Sequence, residues 1–290
     1  CELALQPINA FKLDAAILFS DILTIPDSFG LGVEFVEKKG PVFNNPINSS
    51  SDINNLDHFD PESLDYVYKA VKNIKNSLSE EIPLIGFCGS PWTLAAYSIE
   101  GRSSKDFEKT LNFLISNQKD VHNLLIKYTD ACFLYLRRQV QSGADVIQIF
   151  DSWANLLTKE GLIEYSFNYI NALISALKLD PVTKNIPVIV FARNPKCNIK
   201  ELINTSADCI SLFWSMNDLN FELAKNKVAI QGNLDPKILL ESDEIIKRET
   251  YKILEKFEKY PGYIFNLGHG ITPDINPDKI KYLTNIVREY

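Results

Sequence analysis

Seven short segments of the chain are almost continuously apolar and are rich in β-branched and aromatic residues. This pattern predicts strands buried on both faces, because a strand with one face in water would alternate apolar and polar residues. The segments are AAILFSD (15–21), PLIGFCG (83–89), VIQIFDS (146–152), PVIVFAR (187–193), CISLFWS (209–215), VAIQGNL (228–234) and YIFNLGHG (263–270). Stretches with helical spacing of apolar residues lie between most of them, at 61–80, 104–141, 158–178, 235–258 and 277–290. The alternation of strand and helix predicts parallel βα units.

The fold class expected from this order is α/β, as a (β/α)8 TIM-like barrel that occupies residues 1–290 as one domain. A closed barrel of this kind has eight strands, so the first strand is expected to lie upstream of Cys1 and to be missing from this chain. An open doubly wound sheet is the alternative. It favours a glycine-rich turn after its first strand, whereas FSDILTIPDSFG contains no G-x-G-x-x-G. The polar segment 33–61, rich in Asn and Ser, is predicted to be a surface insertion.

Composition narrows the class of protein further. A hydrophobic fraction of 46% with 23% charged residues is typical of a folded globular chain. The net charge of −7 argues against nucleic acid and anionic membrane surfaces as partners, and no apolar run approaches the roughly 18 residues of a membrane span. The five cysteines are scattered without C-x-x-C spacing, which argues against a zinc site or a disulfide framework. A cytoplasmic protein is expected, with Cys88 and Cys209 as small core residues.

Polar residues close most of the predicted strands, and in a parallel barrel the carboxyl ends of the strands carry the reactive groups. The residues at these strand ends, most of them polar, are Ser20, Asp21, Gly89, Ser90, Pro91, Trp92, Asp151, Ser152, Trp153, Arg193, Trp214, Ser215, Asn233, Asp235 and His269. For each residue taken alone, the alternative is that the chain simply meets water there. A triad of Ser152, His269 and Asp21 is conceivable from residue types, but nothing in their spacing favours it. H-E-x-x-H, P-loop and G-x-S-x-G motifs are absent from the sequence.

Six motifs in order resemble the uroporphyrinogen decarboxylase family over essentially the whole chain. They are ALQPINAFKLDAAILFSDILTIPDSFG, GFCGSPWTLAAYSIEG, DVIQIFDSWA, PVIVFARN, IQGNLDP and FNLGHGI. The resemblance implies a distorted (β/α)8 barrel that forms a homodimer. It also implies removal of the four acetate carboxyl groups of uroporphyrinogen III as carbon dioxide, giving coproporphyrinogen III in haem and tetrapyrrole biosynthesis. No metal and no organic cofactor are implied.

The resemblance also assigns roles to four residues. Asp21 matches the family's catalytic and substrate-binding carboxylate, which opposes the positive charge of a protonated pyrrole; the alternative is a helix N-cap before ILTIP. Tyr97, Ser152 and His269 match substrate-contacting positions. From the residues alone, Tyr97 could be a core aromatic, Ser152 a turn residue and His269 a histidine bonded to backbone in a glycine turn.

Other residues receive weaker expectations. His58 and His122 lack a strand-end context and are predicted to face solvent. Phe213 replaces an Asp that the family usually carries before the Trp, which puts a structural hydrogen bond in doubt. Trp92, Trp153 and Trp214 are predicted to pack around the barrel mouth; the alternative is that they shape a pocket for a large flat macrocycle.

The family's arginine-rich N-terminal signature does not occur in this chain. Because the implied substrate carries eight carboxylates, residues 1–290 as they stand are expected to fold incompletely or to bind substrate poorly. Arg193 is the only basic residue among the strand ends, and Arg102 in EGRSS is a weaker candidate for a substrate-binding charge.

Two other functions remain open from the sequence. One is a zinc-dependent methyltransferase of the same superfamily that acts on a corrinoid protein. It would need His and Cys ligands near strand ends, where His269 is the only histidine. The other is a non-catalytic tetrapyrrole-binding relative that has lost the arginine segment.

Overall fold

A computed structural model describes residues 2–37, 40–193, 197–216 and 220–290. Its strands are β1 (Ala16–Ile17), β2 (Val33–Val36), β3 (Gly40–Phe43), β4 (Leu84–Gly89), β5 (Val146–Asp151), β6 (Val188–Ala192), β7 (Cys209–Ser211), β8 (Ala229–Gln231) and β9 (Tyr263–Ile264). Seven of them form one parallel sheet in the order β1-β4-β5-β6-β7-β8-β9. These seven coincide with the seven apolar segments.

The α-helices surround this sheet and follow the strands in the chain. They are α1 (Glu2–Phe11), α2 (Thr24–Pro26), α3 (Ser50–Asn54), α4 (Asp65–Ser77), α5 (Pro91–Glu100), α6 (Glu108–Ser116), α7 (Gln118–Gln141), α8 (Lys159–Gly161), α9 (Asn168–Leu179), α10 (Ile199–Ile203), α11 (Asp243–Phe257) and α12 (Pro277–Glu289). Wider π-helical turns continue α2 over Asp27–Leu31 and α8 over Leu162–Phe167. Short α10, between β6 and β7, was not predicted.

The curled sheet with helices around it confirms the predicted α/β barrel-like fold. Strands that follow one another in this sheet are neighbours in space, as in a βα barrel, and the helices connect them. Within the described residues, the sheet is open between β1 and β9. An eighth strand would pair there in a closed barrel.

Helix α7 is fixed to strand β4 by a side-chain amide. Strand β1 pairs with β4 only through Ala16 and Ile17, so the peptide groups farther along β4 need other partners. The Gln139 amide supplies them, because its oxygen accepts from the Phe87 N–H at 3.0 Å and its nitrogen donates to the Phe87 carbonyl at 2.9 Å. Gly86 leaves the room for this amide, since a Cβ there would lie 2.5 Å from the Gln139 oxygen.

Segment 33–61 contains an antiparallel hairpin, β2 with β3, followed by α3. A capping box starts α3: Ser49 accepts from the Asp52 N–H, and the Asp52 carboxylate accepts from the Ser49 N–H. Ile47 and Ile53 are fully buried in the main core. Apolar anchors therefore hold this polar segment against the barrel.

The cysteines and histidines away from the strand ends have surroundings that agree only in part with the predictions. Cys88 and Cys209 are buried, as predicted, and His58 is exposed. The prediction for His122 is wrong: it is half-buried, its Nδ1 lies 2.6 Å from the Tyr169 hydroxyl, and its ring stacks on Tyr165. A single helical position carries no information about a neighbouring helix. None of the helices in the described ranges combines the length and apolarity needed to cross a bilayer.

Candidate active site

Asp21 lies in the loop between β1 and α2, at the carboxyl end of the sheet. Its Oδ1 accepts a hydrogen bond from the Leu23 N–H at 2.7 Å, and the Thr24 hydroxyl donates to the Asp21 carbonyl at 3.1 Å. The side chain is half-buried. Burial raises the pKa of the carboxyl group, and the Leu23 N–H offsets part of that rise. Asp21 therefore organises the local turn, but it also presents a partly desolvated carboxylate, which is typical of functional sites.

Tyr97 is placed in the same region by helix α5. The helix begins after Ser90, whose hydroxyl caps it by accepting from the Thr93 N–H at 3.0 Å. The Tyr97 ring packs at 5.7 Å from the Trp153 ring and at 5.8 Å from the Phe107 ring, edge-on in both cases. This packing fixes the phenol at the mouth of the barrel.

Two opposite charges act on the Tyr97 hydroxyl. Burial is the main reason that its pKa is raised, and hydrogen-bonding groups of Trp153 and Ser103 work against that rise. The Asp21 carboxylate raises the pKa further, whereas the Arg193 guanidinium lowers it. Tyr97 therefore lies within electrostatic reach of both an anion and a cation.

Ser152 follows β5 directly and is half-buried. The preceding residue, Asp151, anchors this turn. The Asp151 carboxylate is fully buried and accepts hydrogen bonds from Ser90 and Thr93, both at 2.8 Å, and from Ser166. Desolvation raises the pKa of Asp151, and the three hydroxyl groups oppose that rise. Because Ser90 and Thr93 begin α5, this cluster joins the turn of Ser152 to the helix of Tyr97.

His269 lies in the loop after β9 and is mostly exposed. Its ring meets the Phe213 ring at 5.9 Å and the Phe191 ring at 6.4 Å, edge-on in both cases. Burial lowers the pKa of the imidazole, a backbone hydrogen bond with Gly270 raises it, and the nearby Arg193 charge lowers it. The imidazole is thus mainly neutral near pH 7, so it is suited to hydrogen bonding rather than to ion pairing.

The two glycines beside His269 have different surroundings, which gives a matched test. A Cβ on Gly268 would lie 2.4 Å from the Trp214 backbone nitrogen, whereas a Cβ on Gly270 would have no heavy atom within 4 Å. We expect Gly268→Ala to lower the free energy of unfolding by about 1–3 kcal/mol through overpacking against backbone. Gly270→Ala should change it by less than about 0.5 kcal/mol. Urea unfolding midpoints measure both, and equal midpoints would contradict the close approach seen here.

Arg193 lies at the carboxyl end of β6, between the aromatic group that contains Tyr97 and the one that contains His269. Its guanidinium carbon is 5.8 Å from the centre of the Trp153 ring and 5.7 Å from that of Phe213. The Trp153 ring also contacts Tyr97, and the Phe213 ring also contacts His269. A chain of aromatic and cationic groups therefore connects Tyr97 to His269 across the barrel mouth.

The structure places Asp21, Ser152 and His269 in loops that follow the carboxyl ends of β1, β5 and β9, and Tyr97 within α5, the helix that follows β4. Asp151 closes a buried strand, but its role as a shared hydrogen-bond acceptor could not be predicted from the sequence. The hydroxyl of Ser166 could not be anticipated, because nothing in the local sequence shows which way that helical turn faces. Across the described ranges, no three His, Cys, Asp or Glu side chains come together as a metal site would require.

A family model described as "Uroporphyrinogen decarboxylase (URO-D)" matches residues 1–290. Curated relatives share this similarity over more than four fifths of their length. A uroporphyrinogen decarboxylase of Ruthia magnifica subsp. Calyptogena magnifica is 44% identical over 293 residues, covering 100% of this chain and 84% of the relative. A uroporphyrinogen decarboxylase of Pseudoalteromonas atlantica is 43% identical over 293 residues, and the alignment covers 100% of this chain and 82% of that relative.

Solved structures with a similar backbone are more distant in sequence. A methyltransferase from Methanosarcina mazei superposes with a TM-score of 0.81 at 18% identity, covering 99% of this chain and 84% of that one. A B12-independent methionine synthase from Shewanella sp. W3-18-1 superposes with a TM-score of 0.61 at 13% identity, covering 99% of this chain and 86% of that one. At these identities, the likeness concerns the fold alone.

Proposed function

We infer that this chain, which belongs to the uroporphyrinogen decarboxylase family, is a carboxy-lyase that converts uroporphyrinogen III to coproporphyrinogen III in tetrapyrrole biosynthesis. The match of the family model to all 290 residues carries this conclusion. The reaction removes four acetate carboxyl groups as carbon dioxide and leaves methyl groups. The strand-end face of the sheet, with Asp21, Ser152, His269 and Tyr97 of α5, is the proposed substrate site, and it is called the cleft below.

The chemistry requires an electron sink next to each acetate. Protonation of a pyrrole ring carbon provides one, because the electron pair of the breaking bond to the carboxyl carbon can then move into the cationic ring. Carbon dioxide leaves, the exposed methylene carbon takes up a proton to become methyl, and the ring carbon loses the proton that it gained. The protein's task is to favour the transient cation.

We propose that Asp21 is the catalytic residue that stabilises this cation. Its carboxylate can accept hydrogen bonds from pyrrole N–H groups and oppose the positive charge of the ring. Partial burial strengthens such an interaction, because the surrounding dielectric is lower than that of water. The Leu23 N–H and the Thr24 hydroxyl support this role by holding the loop in place before substrate arrives.

Tyr97, Ser152 and His269 are proposed to bind the substrate. The phenol and the serine hydroxyl can each donate a hydrogen bond to a carboxylate. The lowered pKa of His269 supports a neutral donor that binds a carboxylate without adding a second charge. The ring contacts of Tyr97 with Trp153 and of His269 with Phe213 support a shared substrate-binding role on the strand-end side.

Incubation of purified protein with uroporphyrinogen III under reducing conditions tests the function. The expected result is a series of products with seven, six, five and four carboxylates, with one carbon dioxide released at each step. Binding of the tetrapyrrole without carbon dioxide release would favour the non-catalytic alternative instead. Methyl transfer that a zinc chelator abolishes would favour the methyltransferase alternative, for which the described residues supply no three-ligand cluster.

We further propose that the protein acts as a homodimer in the cytoplasm and that residues 1–290 form one barrel domain. Phe19, after β1, is 70% exposed, and Ile271, after β9, is 49% exposed, so apolar groups are available on the cleft side. Such exposed groups support an interface near the cleft. Light scattering should give twice the chain mass of 32.9 kDa, and a monomer at micromolar concentration would contradict the dimer.

A further inference from the structure

Arg193 holds a cation at the barrel mouth in a fixed orientation. Its backbone N–H donates to the Asp151 carbonyl at 3.0 Å, which continues the pairing of β6 with β5. Its guanidinium lies near two aromatic rings, those of Trp153 and Phe213, and is half-buried. Aromatic neighbours of this kind attract the cation and restrict its rotation, so that less entropy is lost when the guanidinium binds a ligand.

No ion pair formed between described residues includes Arg193. The pKa of Asp21 responds to burial and to the Leu23 N–H, whereas that of Tyr97 responds to both Asp21 and Arg193. Arg193 and Asp21 therefore act on Tyr97 from separate positions rather than pairing with each other. A guanidinium with five N–H donors in this setting is suited to bidentate binding of a carboxylate.

We propose that Arg193 binds a substrate carboxylate that the reaction leaves in place, and so anchors the tetrapyrrole while Asp21 acts on another part of it. This inference rests on the proposed function, which supplies a substrate with eight carboxylates, four of which survive. A cation bound to the reacting carboxylate would stabilise the starting state and hold its electrons, which would slow loss of carbon dioxide. A cation beside the reacting ring would also repel its developing positive charge. Binding of a surviving carboxylate avoids both effects.

The four surviving carboxylates are also the groups present at every step. The acetates disappear one by one as the reaction proceeds, so an acetate anchor would weaken during the series. An anchor to a surviving carboxylate serves all four decarboxylations equally. Arg193 thus binds the substrate and sets the position of the tetrapyrrole, and it takes no part in bond breaking.

Kinetics of Arg193→Gln and Arg193→Lys test this role, with Arg248→Gln as the control. Arg248 is an exposed arginine of α11 that pairs with its neighbour Glu249, so its loss changes the net charge equally. We expect Arg193→Gln to raise KM for uroporphyrinogen III by about 10- to 100-fold, the usual worth of a charge-assisted hydrogen bond, with kcat within about threefold. Arg193→Lys should lie in between, because lysine keeps the charge and loses the planar fork. The control should match the wild type. An unchanged KM, or a loss confined to kcat, would overturn the proposal.

Equilibrium binding of coproporphyrinogen III identifies which carboxylate is bound. This product carries only the four surviving carboxylates, so Arg193→Gln should weaken its binding by the same factor as it raises KM. If Arg193→Gln weakened the binding of uroporphyrinogen III but not that of coproporphyrinogen III, the group bound by Arg193 would be an acetate, and the proposal would be overturned. Binding needs no turnover, so a wild type that binds through Arg193 but releases no carbon dioxide would refute the proposed function and leave the anchor standing. Circular dichroism of each variant must match the wild type before its constants are compared.

Discussion

Replacing Asp21 by asparagine is expected to lower kcat for uroporphyrinogen III by about 10²–10³-fold, the typical effect of removing one preorganised electrostatic group. Asparagine keeps the size of the side chain and can still accept from the Leu23 N–H, but it cannot oppose the charge of a protonated pyrrole. The measurement is carbon dioxide release at saturating substrate. Asp14→Asn is the control, because Asp14 is exposed and pairs with Arg288 away from the cleft. A variant Asp21→Asn with wild-type kcat would exclude Asp21 from catalysis.

The same variant should not lose stability. The folded-state pKa of Asp21 is raised above its ordinary value of 3.8, so the folded protein binds this proton more tightly than the unfolded chain does. The ionised group therefore opposes folding at neutral pH, and that cost is relieved as pH falls through the raised pKa. Denaturant midpoints for Asp21→Asn at pH 7 should equal or exceed those of the wild type. A clear drop would indicate that lost activity reflects damage to the fold.

The activity of the wild type should show the matching pH dependence. Catalysis by this group requires the carboxylate, so kcat/KM, which reports ionisation of the free enzyme, should fall as pH decreases through a pKa above 3.8. This acidic limb should be absent from the residual activity of Asp21→Asn. Its persistence in the variant would assign the limb to another group.

Replacing Asp151 by alanine should cause a larger loss of stability than Gly268→Ala or Asp21→Asn. The carboxylate is the shared acceptor for the hydroxyl groups of Ser90, Thr93 and Ser166 in a fully buried cluster. Each buried hydroxyl left without its acceptor costs about 1–3 kcal/mol, so the free energy of unfolding should fall by about 3 kcal/mol or more. Chemical denaturation measures this change. Asp151→Asn, which retains an acceptor, should lose less.

Asp130→Ala is the matched control for Asp151→Ala, because Asp130 is exposed on α7 and its loss should change stability by less than about 0.5 kcal/mol. If Asp151→Ala folds at low temperature, its activity should also fall, since the cluster positions Ser152 and the start of the Tyr97 helix. Equal stabilities of Asp151→Ala and the control would contradict the structural role derived for this carboxylate.

The strands illustrate how far local pattern extends. All seven apolar segments form the parallel sheet, and their order along the chain is their order in space. The strands could be predicted because a strand buried on both faces must be apolar throughout, and a few consecutive residues are enough to show this. The strand-end residues follow from the same fact, since parallel strands bring their carboxyl ends to one side. Neither the hairpin of β2 and β3 nor α10 had such a signal.

The sequence by itself determined the strand–helix alternation, the barrel-like class and the group of polar residues at the strand ends, because each depends on the order and periodicity of neighbouring residues. Only the tertiary structure decided their partners. Asp151 meets Ser90 across 61 positions and Ser166 across 15, and Arg193 meets rings from two other strand ends. Such contacts depend on side-chain directions and on how helices pack over the sheet. Local composition does not encode these directions, so the buried acceptor and the aromatic surroundings of Arg193 emerge only in three dimensions.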